Sequence, residues 1–138
     1  MYLKEMNKMK RFLCILSVLA VLVCLFSCNE KSTYENILSQ LDKYEFDAVT
    51  PYAEEEINSI KETLKSRELP YDVKNICHYF TRSVLANEEN TWVYVYEFET
   101  NESAQKFKEQ YADGWNIARI KDNVVVYGSF PKISTLEM

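Results

Sequence analysis

Thr91-Trp92-Val93-Tyr94-Val95-Tyr96-Glu97-Phe98-Glu99 alternates without a break. Trp92, Tyr94, Tyr96 and Phe98 occupy every second position, with Val93, Val95, Glu97 and Glu99 between them. Successive side chains of a strand point to opposite faces, so this stretch predicts a β-strand with an aromatic row on one side. Aromatic and β-branched residues suit a pleated, half-buried surface. Glu97 and Glu99 mark the other side as the wetter one, so the rings are expected to face helices and fill a core short of leucine. The same four rings, Trp92, Tyr94, Tyr96 and Phe98, are also the chain's candidate partner surface, because an uncovered aromatic row stacks on sugars, peptides or other rings.

Upstream, Asn87-Glu88-Glu89-Asn90 reads as a turn into this strand. Lys74 to Ala86 fits two patterns: Val73, Ile76, Phe80 and Val84 at helical spacing, or Ile76, His78, Phe80 and Val84 on one strand face. Its aromatic and β-branched content favours a β-hairpin with the following strand. Thr50-Pro51 is expected to cap a helix, with Glu54, Glu55 and Glu56 at its positive end and Lys61, Lys65 and Arg67 at the other. Ala53, Ile57, Ile60 and Leu64 give it a single apolar stripe, ending near Glu68. Before it, Glu45 to Thr50 reads as a connection. Ser32-Thr33-Tyr34-Glu35 has capping-box spacing and predicts a first helix from about Thr33 to Lys43.

Downstream, Thr100 or Asn101 is expected to cap a short helix carrying Ala104, Phe107 and Tyr111, closed by Gly114. Trp115 to Ile120 and Val124 to Phe130 read as strands around a Lys121-Asp122-Asn123 turn, and the tail after Pro131 as frayed. The predicted fold is α+β: an N-terminal helix, then α-β-β-α-β-β. Ile57 to Phe98 and Ala104 to Phe130 form a weak internal duplication. Crossover rules put both later helices on one face of a four-stranded, mainly antiparallel sheet, a two-layer sandwich of ferredoxin-like character.

The start of the chain has a different composition. Lys8, Lys10 and Arg11 precede an apolar run from Phe12 to Phe26, then Leu25-Phe26-Ser27-Cys28. Basic residues, a hydrophobic run and a small residue before a break are the layout of a secretory signal peptide. The run is shorter than the roughly 20 residues a membrane span needs, although a retained single span is the alternative. Ending on cysteine, it resembles the lipobox of bacterial lipoproteins. The resemblance implies cleavage between Ser27 and Cys28, lipidation of Cys28, and a chain held to the membrane by acyl chains on its extracytoplasmic side. The organisation expected is 1–27 signal peptide, 28–31 lipidated cysteine and short tether, and 32–138 a single domain. The last helix, Gly114-Trp115 and the Val124-to-Gly128 strand are similar to the ends of many small bacterial lipoproteins, which carries no activity with it.

Met1–Ser27 holds four of the sixteen cations and one of the twenty-one anions, so the remaining 111 residues carry a net charge of −8. That charge disfavours nucleic acid and anionic headgroups as partners. Of four cysteines, Cys14 and Cys24 fall in the leader and Cys28 takes the lipid, so Cys77 has no partner for an internal disulfide. Gly114 and Gly128 are the two glycines, too few for a phosphate-cradling loop. Cys77-His78 invites a nucleophile–base reading, but neighbours on a strand point to opposite faces. One histidine and one unlipidated cysteine make no zinc site, and the Glu54–Glu56 run has no calcium loop around it. No cofactor, metal or catalytic residue is expected.

The function expected is a non-enzymatic binding or accessory module at the extracytoplasmic face of the envelope, serving an envelope or secreted protein. Two alternatives stand beside it. One is a small hydrolase using Glu97, Glu99, Tyr94 and Tyr96; the other is a structural lipoprotein that self-associates through its open sheet face.

Overall fold

The computed structural model describes residues 31–83, 90–111 and 117–138. Cys28, Ser27 and the apolar run before them lie outside the described residues, as do Trp115 and the segment from Val84 to Glu89. Residues 32–138 form one compact unit, with three helices and a five-stranded sheet among the described residues. Among the described residues no helix is long and apolar enough to cross a membrane.

Helix α1, Thr33–Leu41, begins as the capping box predicts. Ser32 Oγ accepts from the Glu35 amide (3.2 Å) and Glu35 Oε2 accepts from the Ser32 amide (3.1 Å), so two otherwise orphaned donors are satisfied. Strand β1, Ala48–Pro51, follows, then α2, Glu54–Ser66. The expected role of Thr50-Pro51 as a helix start is therefore corrected: both residues are in β1. The first turn of α2 is instead secured by Glu56, whose Oε2 accepts from the Ala53 amide at 2.8 Å.

Strand β2, Val73–Thr81, and β3, Thr91–Phe98, form the expected hairpin, paired antiparallel with Ile76 opposite Tyr96 and Phe80 opposite Trp92. Helix α3 is Asn101–Tyr111, with Thr100 Oγ1 accepting from the Ser103 amide at 3.1 Å. Strands β4, Ile117–Lys121, and β5, Val124–Gly128, complete an antiparallel sheet in the order β1-β2-β3-β5-β4. The tail is not frayed. Pro131–Thr135 form a 3₁₀ turn, Ile133 and Leu136 are buried, and Arg119 Nη1 donates to the carbonyls of Ser134 and Leu136, both at 2.8 Å.

The four-stranded, two-layer, ferredoxin-like expectation gives way to five strands with helices on both faces. On one face α2 and α3 lie together, as the crossover argument requires, burying Ile57, Leu64, Ala104 and Phe107 against Val73, Ile76, Tyr96, Phe98 and Val125. On the other, α1 and the tail bury Ile37, Leu41, Ile133 and Leu136 against Cys77, Tyr79, Val93, Val95, Val124 and Val126. Being covered on both faces explains why β5 is a continuous apolar run instead of an alternating one. Each large side chain fully buried in these two cores contributes roughly 1.5–3 kcal/mol.

Candidate functional site

The aromatic row of β3 divides. Tyr96 and Phe98 are buried beneath α3, with Phe107 at ring-centroid distances of 5.0 and 5.1 Å. These two are core residues, as the alternation of β3 suggests. Trp92 and Tyr94 lie further along the same strand face and are only half-buried. They line a depression of about 330 Å³ together with His78, Phe80 and Tyr127.

Strand register builds this depression. His78, Tyr94 and Tyr127 are directly opposite one another across β2, β3 and β5. Their rings form a ladder: His78 and Tyr94 are 4.2 Å apart and 8° from parallel, Tyr94 and Tyr127 5.6 Å and 19°. Phe80 and Trp92 form the next rung outward. Trp92 is turned across the ladder, meeting Tyr94 at 62° and Tyr127 at 82° in edge contacts. Its backbone is held by Ser129, whose Oγ accepts from the Trp92 amide and whose amide donates to the Trp92 carbonyl, both at 3.0 Å. Gly128 permits this close approach, since a Cβ there would overlap the Trp92 carbonyl oxygen and lie 2.9 Å from Val93 Cα.

The electrostatics are those of a neutral site. No Asp, Glu, Lys or Arg lines the depression. Burial holds the His78 pKa below its ordinary value, which favours the uncharged ring.

Other singled-out residues do not converge. Cys77 and His78 lie on opposite faces, Cys77 buried beside Tyr79 in the α1 core. Glu97 is not solvated: it is 7% exposed, with Asn75 Nδ2 donating to its Oε2 at 2.6 Å and the Lys74 ammonium 3.7 Å from Oε1. A register irregularity between Val73 and Asn75 gives β2 its extra residue, and both flanking polar side chains meet this carboxylate. Glu99 is exposed and lines a separate cleft together with Glu54, Lys61 and Lys74. Glu97 therefore lies on the sheet face opposite Tyr94 and Tyr96, and neither depression holds two of these four residues. Among the described residues no group of three His, Cys, Asp or Glu could hold a metal ion.

His78, Phe80 and Tyr127 belong to the site although nothing in their local sequence singles them out for it. His78 and Phe80 share the Ile76 parity on β2, which is a usable signal; Tyr127 enters only through the pairing of β5 with β3. Comparison with protein-family models, with curated proteins and with solved structures finds no match.

Proposed function

We propose that this chain is a lipid-anchored, non-enzymatic binding module of the bacterial envelope, taking its ligand at the aromatic depression. The observation that carries the reading is the division of the β3 row. Helices cover Tyr96 and Phe98 but leave Trp92 and Tyr94 open, in a site lined by no Asp, Glu, Lys or Arg. Exposed aromatic surface that a small fold leaves unpacked is the ordinary currency of recognition.

The anchor reading rests on Leu25-Phe26-Ser27-Cys28. Cys28 precedes the α1 cap Ser32 by four residues, a reach of at most ~14 Å. The first turn of α1 is tied to the β4–β5 turn, Thr33 Oγ1 donating to Asp122 Oδ2 at 2.6 Å. That turn joins the strands at the Glu97–Val124 end of the sheet, and Trp92 is five residues away along β3, roughly 17 Å. An acyl chain on Cys28 would hold the first end toward the bilayer and present the depression outward.

Metabolic acyl labelling of the wild type beside Cys28→Ala tests the anchor, with label expected only in the wild type. A photo-crosslinking residue at position 50, exposed on β1 directly opposite His78, tests the binding role in intact cells and leaves the lining of the depression in place. Label persisting in the alanine variant refutes the anchor site, and a crosslinker that captures nothing refutes the binding role.

A further inference from the structure

We propose that the depression binds an uncharged pyranose ring, presented as part of an envelope glycan. This rests on the binding-module reading above and names the ligand of that site.

Three features select the ligand. The lining carries no formal charge, and the rest of the domain is strongly acidic, so an anionic ligand would be repelled and a cation would find no carboxylate inside. The walls are of two kinds. The His78–Tyr94–Tyr127 ladder spends its ring faces on internal stacking, so its edges, phenol hydroxyls and imidazole make a polar, hydrogen-bonding side. Trp92 and Phe80 make the apolar side, with Trp92 set steeply across the ladder. A ligand matching both needs a flat apolar face and a rim of neutral hydroxyls, which is the chemistry of a pyranose chair. The volume, about 330 Å³, lies at the small end of ligand sites and suits one or two rings.

An extended peptide fits less well. On the His78–Phe80 side of the depression the sheet edge is β1, four residues long, and its outward-facing positions are Val49 and Pro51, since Thr50 and Tyr52 are on the bonded register with β2. Pro51 has no N–H, so an added strand would find a single residue able to both donate and accept.

The test uses the full chain in a sugar-free detergent and follows the Trp92 indole N–H by NMR, assigned with Trp92→Phe. Maltotriose, cellotriose and tri-N-acetylchitotriose are titrated in turn. At least one should shift that resonance saturably, and Tyr94→Phe, which removes a hydroxyl and keeps the ladder, should weaken it by about tenfold. Unchanged amide dispersion in that variant excludes misfolding as the cause. No saturable shift from any of the three overturns the pyranose assignment, as does a shift produced only by an uncharged aromatic peptide. If the sugars fail while the crosslinker at position 50 still captures an envelope protein, the binding role survives and the ligand class alone falls. If both fail, the two readings fall together.

Discussion

Gln40 and Glu137, 97 residues apart, exchange two hydrogen bonds. Gln40 Nε2 donates to the Glu137 carbonyl at 3.1 Å, and the Glu137 amide donates to Gln40 Oε1 at 2.7 Å. The side chain of α1 thus reads the last turn of the chain like a strand neighbour. Gln40→Ala is expected to cost about 1 kcal/mol, the ordinary worth of exchanged, solvent-accessible hydrogen bonds. Deleting Leu136–Met138 should cost more, since it also removes a buried leucine worth roughly 2 kcal/mol and one carbonyl partner of Arg119. Urea midpoints measure both, and a deletion no worse than Gln40→Ala would show that the tail does not close this face.

Gly128 has no substitute. Adding one methyl places a carbon against the Trp92 carbonyl oxygen, which is backbone and cannot swing away. Gly128→Ala is expected to cost upwards of ~3 kcal/mol and to disturb the depression through Trp92. Amide exchange at Ser129 and Val93 is the direct readout. Protection there as slow as in the wild type would refute the clash.

Much of this fold can be read along the chain, and the unread parts share a cause. The β3 alternation, the Ser32–Glu35 box and the Ile57–Leu64 stripe are local signals, and each produced the element it implies. Strand β1 is four residues, all exposed, and its Thr50-Pro51 is as good a helix start as a strand end. Its strand identity comes from pairing with Cys77–Phe80 of β2, a tertiary fact. Glu97 looks solvated because carboxylates usually are; only the irregularity at Val73–Asn75 brings Asn75 and Lys74 onto it. The candidate site was half legible for the same reason. Trp92 and Tyr94 stand out in one strand, whereas His78 and Tyr127 join them only when three strands come into register.

His78 makes stability depend on pH in a definite direction. Burial lowers its pKa in the folded state below the ordinary 6.5, while the unfolded chain titrates near that value. Between the two the unfolded state binds more protons, so stability falls as pH drops through 6.5 and levels once the folded ring also protonates. His78→Phe keeps a flat ring against Tyr94 and removes the titration. The urea midpoint of the wild type should fall relative to that variant between about pH 7.5 and about pH 5. Parallel curves for the two proteins would sink the assignment.

Helix α2 ends in a Schellman motif with the wrong residue in its left-handed position. The Leu69 amide donates to the Leu64 carbonyl at 3.0 Å and the Glu68 amide to Lys65 at 3.1 Å, while Glu68 adopts φ 59°. A side chain in that conformation costs roughly 1 kcal/mol, and a carboxylate at the negative end of the helix dipole adds a smaller penalty. Glu68→Gly should therefore stabilise the domain by about 0.5–1 kcal/mol despite the greater freedom glycine gives the unfolded chain. Glu68→Ala separates the two causes, because it removes the charge and keeps the Cβ. If strain dominates, alanine recovers little and glycine most of the gain, seen as a rise of a few degrees in Tm. Equal gains from both would assign the penalty to the dipole, and no gain from glycine would mean the helix end relaxes out of the left-handed conformation at no cost.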